Sequence, residues 1–374
     1  MKFAIIICGS SRESEYNPSV TFQSQLRKDI IIGLHKGQSS ADLAKLLNVS
    51  EEKISDHLKF LEKAKFVKEK NGRIVPGFFV AFREDVLRTR KASIGLGRKI
   101  GNAYETSWNN VIETYRKLSV AQLFDFNRIG FVLVGAYSLD MIDKFAEEGK
   151  LMPKAPERKT GSYYMWGVEN GMDALGRYGM HSDQLNGYGF ASFGGEEERK
   201  RVSPPDHRFR MLMKEMDEDD LTNAYQKFLK LGDSEKASLR KKIDEITLRV
   251  LQDYERKYRD QNYELSEESE KYLKQWLYLD IDLTPSAPIY TKNDLEIIRS
   301  FVEDMSVQIL EILYKNMNAS RRVFLKCKAS KYADFAEFFC WYYHLVFTET
   351  MDYLIRKGRL GQPLHGYEFW IWKK

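Results

Sequence analysis

The stretch LAKLLNVSEEKISDHLKFL, residues 43–61, decides how the N-terminal part of this chain folds. Leucines recur at helical spacing before residue 48, and Ile54 and Leu58 continue such a spacing after a short break. Asn48 stands where a tight turn is expected, and Ser50 is a residue type that often caps the start of a helix. The stretch therefore predicts two short helices joined by a turn.

The flanking segments extend this pattern. Before it, Ile30, Ile31 and Leu34 give one helix an apolar face, and Gly37 ends that helix. After it, two short apolar runs flank Asn71-Gly72, a dipeptide that strongly favours a two-residue hairpin turn. Three helices and a hairpin are therefore predicted between about residues 22 and 82.

Residues 43–61, and most closely SDHLKFLEKAKFV at residues 55–67, resemble the DNA-reading core of the ArsR type of winged helix-turn-helix proteins. The resemblance covers about residues 22–80. It implies that the second helix of the pair is a recognition helix and that the hairpin is a wing. A helix pair fixed by its apolar residues can also present an outer face to a major groove about 12 Å wide. The residues expected to contact double-stranded DNA are Ser50, Glu52, Lys53, Ser55, Asp56 and Lys59 on the helix, with Lys68, Lys70 and Arg73 on the hairpin.

Three carboxylates complicate this prediction. Glu51, Glu52 and Asp56 lie on or beside the surface that would approach a polyanion. Carboxylates accept hydrogen bonds from cytosine amino groups, so sequence reading is still compatible with them, but non-specific affinity would depend on the lysines and the hairpin. His57 is interpreted first as a structural hydrogen-bonding residue and second as a phosphate contact.

The bulk composition fits a folded protein without a special covalent framework. The 374 residues carry a formal net charge of +5, which permits nucleic-acid binding without requiring it. The three cysteines form no disulfide or zinc pattern and favour a cytoplasmic location. The absence of cysteine between Cys8 and Cys327 gives no support to the paired-cysteine metal sensing of the ArsR family, and no metal or cofactor is predicted. The apolar run at residues 3–8 predicts a strand rather than a membrane span.

The rest of the chain predicts a larger second part. We expect an N-terminal strand and linker at 1–21, the winged helix-turn-helix at 22–82, a linker helix at 83–118 and an effector or dimerisation domain at 119–374. Aromatic runs at 163–168 and 188–193 predict strands, and the segment 332–347 predicts a core helix. The expected fold class is α+β and predominantly helical, with a small mixed sheet in a mostly α C-terminal domain. No internal repeat is apparent.

Residues 161–195 are the candidate for a small-molecule pocket. Aromatic side chains alternate there with polar ones, as in many ligand sites, although core packing explains the aromatics equally well. The residues assigned to this hypothetical pocket are Tyr164, Trp166, Asn170, Asp173, Arg177 and Tyr188.

Taken together, these features predict a DNA-binding transcription regulator that works as a homodimer and whose C-terminal domain either senses a small-molecule effector or mediates dimerisation. Two alternatives stay open. The first is an enzyme of unknown type that carries the winged helix as a targeting module, with His181, Asp183, Asp206 and His207 as its candidate cluster. No catalytic motif supports it, and no catalytic residue is assigned. The second is a protein-interaction adaptor, in which the carboxylates of the helix repel DNA.

Overall fold

The computed structural model describes residues 3–12, 14–142, 146, 151, 153–169, 178–195, 204–218, 221–363 and 366–373. The fold is α+β and mostly helical, as the sequence predicts. The α-helices are α1 (Pro18–Thr21), α2 (Gln25–Lys36), α3 (Ser40–Leu47), α4 (Glu51–Lys63), α5 (Arg83–Thr106), α6 (Trp108–Lys117), α7 (Phe126–Phe131), α8 (Pro204–Glu215), α9 (Leu221–Lys230), α10 (Asp233–Arg259), α11 (Glu267–Gln275), α12 (Lys292–Leu325) and α13 (Phe335–Arg356). Two 3-10 helices, η1 (Ser119–Gln122) and η2 (Lys328–Lys331), and a π-helix (Val132–Leu139) complete the helical elements. The strands are β1 (Phe3–Gly9), β2 (Val67–Lys70), β3 (Arg73–Pro76), β4 (Phe79–Ala81), β5 (Glu157–Arg158), β6 (Gly161–Glu169), β7 (Tyr178–Leu185), β8 (Tyr188–Gly195), β9 (Ile289–Tyr290) and β10 (Tyr367–Lys373).

The chain divides into two compact units that do not follow chain order. Unit 1 comprises Met1–Lys99, Asp143–Gly176 and Leu310–Glu349. Unit 2 comprises Ile100–Ile142, Arg177–Ile309 and Thr350–Lys374. The long helices α5, α12 and α13 each contribute one part to each unit. Each unit is therefore assembled from segments that are distant in sequence.

Each unit contains a sheet with the same arrangement around one central strand. In unit 1, β6 pairs with β1 on one side in antiparallel fashion and with β4 on the other in parallel fashion. In unit 2, β10 pairs with β8 antiparallel and with β9 parallel. The short β5 also pairs with β6, and β7 pairs with β8. The predicted strands at 3–8, 163–168 and 188–193 are confirmed as β1, β6 and β8.

The order of elements repeats along the chain. In the first half, β1 precedes several helices, followed by β4, a long helical segment, η1, the helical run that starts with α7, and the central strand β6. In the second half, β8, helices, β9, α12, η2, α13 and the central strand β10 follow in the same order. The sequences 118–151 and 327–360 align without a gap, and Asp125-Phe126 matches Asp334-Phe335. The chain therefore contains an internal repeat of architecture whose sequence identity is low.

Two equivalent aspartates show how the halves exchange elements. Asp85, in the first turn of α5, lies close to the backbone N–H of Lys328 and the thiol of Cys327, and its ion-pair partner Arg88 donates to the backbone oxygen of Lys326 at 3.1 Å, just before η2. Asp294, in the first turn of α12, accepts a hydrogen bond from the backbone N–H of Ser119 at 2.7 Å, at the start of η1. Each long helix thus holds the N-terminus of the 3-10 helix that belongs to the other half of the sequence.

The core of unit 1 joins α2, α3 and α4 to its sheet. Ile30, Ile54 and Leu61 are completely buried and belong to the same apolar cluster as Tyr163 and Met165 of β6. The predicted core helix at 332–347 falls largely within α13, whose aromatic side chains are almost all buried. The helical N-terminal segment is therefore built on the sheet by hydrophobic burial, which is the main favourable term in folding.

A buried ion pair fixes β5 against α13 in unit 1. Arg158 donates hydrogen bonds to the carboxylate of Glu337 and to the backbone oxygen atoms of Tyr163 and Gly77. Both charged side chains are almost fully buried. Burial raises the pKa of Glu337 to about 7, although the charge of Arg158 acts in the opposite direction.

Candidate nucleic-acid interface

The turn between α3 and α4 is fixed by local hydrogen bonds. Ser39 and Asp42 form a capping box at the start of α3, and the Ser50 side chain accepts a hydrogen bond from the backbone N–H of Lys53 at 3.2 Å. Asn48 ends α3 in the left-handed region at φ 53°, which asparagine tolerates better than most residues. These contacts set where α4 starts and the direction in which it leaves the turn.

The two faces of α4 differ sharply in exposure. Ile54, Leu58 and Leu61 are buried against the core of unit 1. Of the residues predicted to contact DNA on this helix and its cap, Ser55 is half-buried and the others are exposed: Ser50, Glu52, Lys53, Asp56 and Lys59. Lys59 and Asp56 form an ion pair at 3.5 Å, but both side chains are 69% exposed, so the pair contributes little to stability. The outer face is therefore free to meet a partner.

The hairpin β2–β3 has the predicted two-residue turn. Asn71 and Gly72 both have positive φ, at 54° and 72°, as the favoured hairpin turn requires. The register places Lys70 opposite Arg73, and both side chains are exposed at the tip, whereas Lys68 is half-buried. The predicted hairpin residues therefore present two cations at one end of the hairpin.

His57 lies beside the exposed outer face of α4 and makes a structural contact. Arg27 of α2 donates from Nε to Nδ1 of His57 at 3.4 Å, and its guanidinium lies 3.7 Å from the ring centroid of Phe60. Burial, followed by the charges of Arg27 and Lys53, lowers the pKa of His57. The neutral imidazole thus helps to hold α2 against α4, which agrees with the first interpretation made from the sequence.

A groove separates α4 from the hairpin, and we call it the reading groove. Its volume is about 460 Å³, and its lining includes Ser55, Leu58 and Ile74. The charged lining residues are four glutamates and two lysines: Glu51, Glu52, Glu62, Glu69, Lys59 and Lys68. The excess of carboxylates is larger than the sequence analysis anticipated, because Glu62 and Glu69 also face this groove.

A second groove on unit 1 has the opposite charge, and we call it the cationic groove. It has a volume of about 980 Å³ and is formed by the end of α2, the start of α3, the hairpin tip and η2. The cationic side chains that line it are Lys36, Lys70, Arg73, Lys328 and Lys331. Sequence analysis found Lys70 and Arg73 but not the other three, since η2 lies far along the chain.

The hypothetical aromatic pocket falls on buried side chains and on residues that are not described. Tyr164 and Trp166 lie on β6 of unit 1, and Tyr188 lies on β8 of unit 2. All three are buried; Tyr164 donates to the backbone oxygen of Pro153 at 2.9 Å, and Tyr188 donates to Glu255. The other assigned residues, Asn170, Asp173 and Arg177, lie outside the described residues.

The candidate catalytic cluster is only partly described. His181 and Asp183 lie on β7, and Asp183 accepts a hydrogen bond from Arg208 of α8. The side chains of Asp206 and His207 lie outside the described residues. Among the residues that the structure describes, no group of three or more histidine, cysteine or carboxylate side chains could hold a metal ion.

Unit 2 contains a cavity that the sequence analysis did not find. Its volume is about 820 Å³, and it combines apolar residues such as Leu279 and Phe369 with the ion pair between Arg128 and Glu368 at 2.8 Å. Glu368 is itself buried. Its lining mixes apolar side chains with charged and polar ones, and a concave site of this size can hold a small molecule.

Comparisons with protein-family models, with curated proteins and with solved structures found no match to this chain. None of the described helices combines the length and the apolar character needed to cross a membrane. None of the three cysteines forms a disulfide.

Proposed function

We propose that this protein binds double-stranded DNA through α4 and the β2–β3 hairpin, as a winged helix-turn-helix of the ArsR type, and that it regulates transcription. The observation that carries the proposal is the exposed outer face of α4, which is backed by a buried core and flanked by a hairpin with cations at its tip. A helix of this kind fits a major groove, and hairpin cations next to it can contact phosphates.

The charges assign different roles to the two elements. The glutamates of the reading groove oppose non-specific binding, so α4 contributes specificity through Lys53, Ser55 and the carboxylates. Lys70 and Arg73 contribute affinity, because contacts with phosphates release counterions whatever the sequence. The protein should therefore bind weakly to random DNA and better to a defined sequence.

We further propose that the protein acts as a homodimer in the cytoplasm and responds to a small molecule. Readers of this type usually bind two half-sites related by two-fold symmetry. The first half of the sequence carries the hairpin β2–β3, and the described residues between β8 and β9 form no counterpart of it. In a two-fold dimer, the second chain would supply a second hairpin of this kind. The cavity around Leu279 in unit 2 is our candidate for the effector site.

The test is selection from a pool of random duplexes with the purified full chain at low salt, followed by sequencing. We expect a palindromic motif that is lost with Lys53→Ala and retained at lower affinity with Arg73→Ala. Lys271→Ala serves as the control, because it removes an exposed lysine of unit 2. A pool without enrichment at low salt would contradict the proposal.

The four glutamates of the reading groove favour one second candidate, an adaptor that binds a basic protein segment along α4. This function predicts that a lysine-rich peptide binds the full chain and that Glu52→Gln weakens the complex. Under the DNA-binding proposal, the same substitution alters the selected motif. Glu52→Gln therefore distinguishes the two functions: it weakens peptide binding if the protein is an adaptor, and it changes the selected DNA motif if the protein is a DNA-binding regulator.

A further inference from the structure

We propose that the cationic groove holds the sugar–phosphate backbone of the bound duplex, so that the DNA-contacting surface extends beyond the winged helix to η2. The inference rests on the proposed function and adds Lys36, Lys328 and Lys331 as phosphate-contacting residues. Two of these three residues lie far along the chain from the segment that resembles a DNA-binding domain.

The charge balance of the groove is the first argument. Five cations line it, and within the described part of the chain none of them forms an ion pair. Asp42 is the one acidic residue among the lining residues, and its carboxylate already accepts hydrogen bonds from the backbone N–H and hydroxyl of Ser39 at 3.0 and 2.7 Å. Its negative charge is thus directed to the start of α3 rather than to the lysines.

The lysines of η2 are held in place by the fold. Asp85 contacts the start of η2. Ala329 in η2 and Tyr332 just after it are buried in the core. The Tyr332 hydroxyl is 2.5 Å from Nδ1 of His35, and Lys328 donates to the backbone oxygen of Lys36 at 3.2 Å. Because the backbone that carries these lysines is ordered before binding, less conformational entropy is lost when the groove binds a ligand.

The pKa of His35, which lies beneath the cationic groove, reflects the positive charge of the groove. His35 is only 2% exposed, and its pKa is lowered to about 4 by burial first and then by the charges of Lys328 and Lys36. An anion in the groove would offset those two charges and should therefore raise the pKa of His35.

The location of the groove connects it to the proposed DNA contact. Ser40 and Ile74 line both the reading groove and the cationic groove, so the two grooves adjoin at the hairpin. A strand whose bases meet α4 can continue along the hairpin tip toward η2. The volume of about 980 Å³ leaves room for a chain of phosphates and sugars rather than for one ion.

The test measures binding of the full chain to a random-sequence 20-base-pair duplex over a range of salt concentrations. The test variant is Lys328→Ala/Lys331→Ala. Its matched control is Lys230→Ala/Lys271→Ala, which makes the same change in net charge at exposed sites on α9 and α11. The test variant should lower affinity about 10- to 100-fold at 0.1 M salt and reduce the slope of log K against log salt by about 2, because each phosphate contact contributes roughly 0.9 to that slope. The control should change neither quantity.

Further arms keep the outcomes separate. Lys328→Arg/Lys331→Arg should retain the affinity, and thermal melting of each variant reports folding. Wild-type binding that the test variant leaves unchanged overturns this inference and not the proposed function. If no duplex binds but inorganic tripolyphosphate binds and depends on the η2 lysines, the groove is a polyphosphate site and the backbone contact proposed here is wrong. Binding of neither ligand overturns this inference, whereas the proposed function is overturned separately, by a random pool without enrichment at low salt.

Discussion

Two glycine-to-alanine substitutions should change stability in opposite directions, although both glycines lie inside long helices. A Cβ atom at Gly33 of α2 would lie 2.2 Å from Cδ2 of Leu43 and 2.5 Å from Oε1 of Gln38. Leu43 is completely buried on α3 and has little room to move. At Gly95 of α5, a Cβ atom would have no neighbour within 4 Å.

The magnitudes follow from packing and helix propensity. An alanine inside a helix is favoured over glycine by about 1 kcal/mol, so Gly95→Ala should raise the free energy of unfolding by roughly 0.5–1 kcal/mol. At Gly33 the same gain opposes an overpacking cost of about 3 kcal/mol, because the clash lies in the closely packed contact of α2 with α3. The net loss for Gly33→Ala should therefore be about 2–2.5 kcal/mol.

Urea denaturation followed by circular dichroism would test this pair. We expect the midpoint to fall for Gly33→Ala and to rise for Gly95→Ala, with unchanged m values. Shifts of both variants in the same direction would refute the reasoning, because they would show that helix propensity alone, or a general sensitivity to substitution, determines the result.

Three further predictions concern a cap and two buried ionisable groups. Ser50→Ala should lower the free energy of unfolding by about 1 kcal/mol, because it removes the N-cap of α4. Ser55→Ala within the same helix should lower it less. Equal losses for the two variants in urea denaturation would contradict a capping role for Ser50. Because burial raises the pKa of Glu337 to about 7, the contribution of this carboxyl group to stability is complete below about pH 4.5 and is lost as the pH rises through 7. In a plot of urea midpoint against pH, Glu337→Gln should therefore remove the decrease between these two pH values. A plot for the variant that runs parallel to that of the wild type would exclude this contribution of Glu337. In an NMR titration, Lys328→Ala should raise the pKa of His35, because the substitution removes one of the positive charges that lower this pKa. Lys326→Ala should leave the pKa of His35 unchanged. An unchanged pKa in Lys328→Ala would argue against electrostatic coupling between Lys328 and His35.

The two halves of the internal repeat share few residues, which explains why the repeat is hard to see in the sequence. The matching segments 118–151 and 327–360 keep Asp125-Phe126 and Asp334-Phe335 at the start of a long helical run. The charge is reversed two positions after the shared phenylalanine: Arg128 pairs with Glu368 in unit 2, while the corresponding Glu337 pairs with Arg158 in unit 1. Because packing constrains burial and partner rather than residue identity, the two halves keep their architecture while their sequences diverge.

The sequence by itself determined the local structure of the N-terminal segment. The cap at Ser50, the turn at Asn48 and the hairpin at Asn71-Gly72 depend on hydrogen bonds and backbone preferences within a few residues. Such signals are visible in a single sequence, so three helices and a hairpin could be predicted with their exposed and buried faces.

Only the tertiary structure decided which distant groups share a surface. Lys328 and Lys331 join Lys70 and Arg73 in one groove because Asp85 binds the start of η2, a contact between residues that are far apart in the chain. No local periodicity encodes such a contact, since it depends on how helices and sheets pack once they have formed. The charge of the candidate site, and therefore the place where a phosphate backbone can lie, was decided at that level.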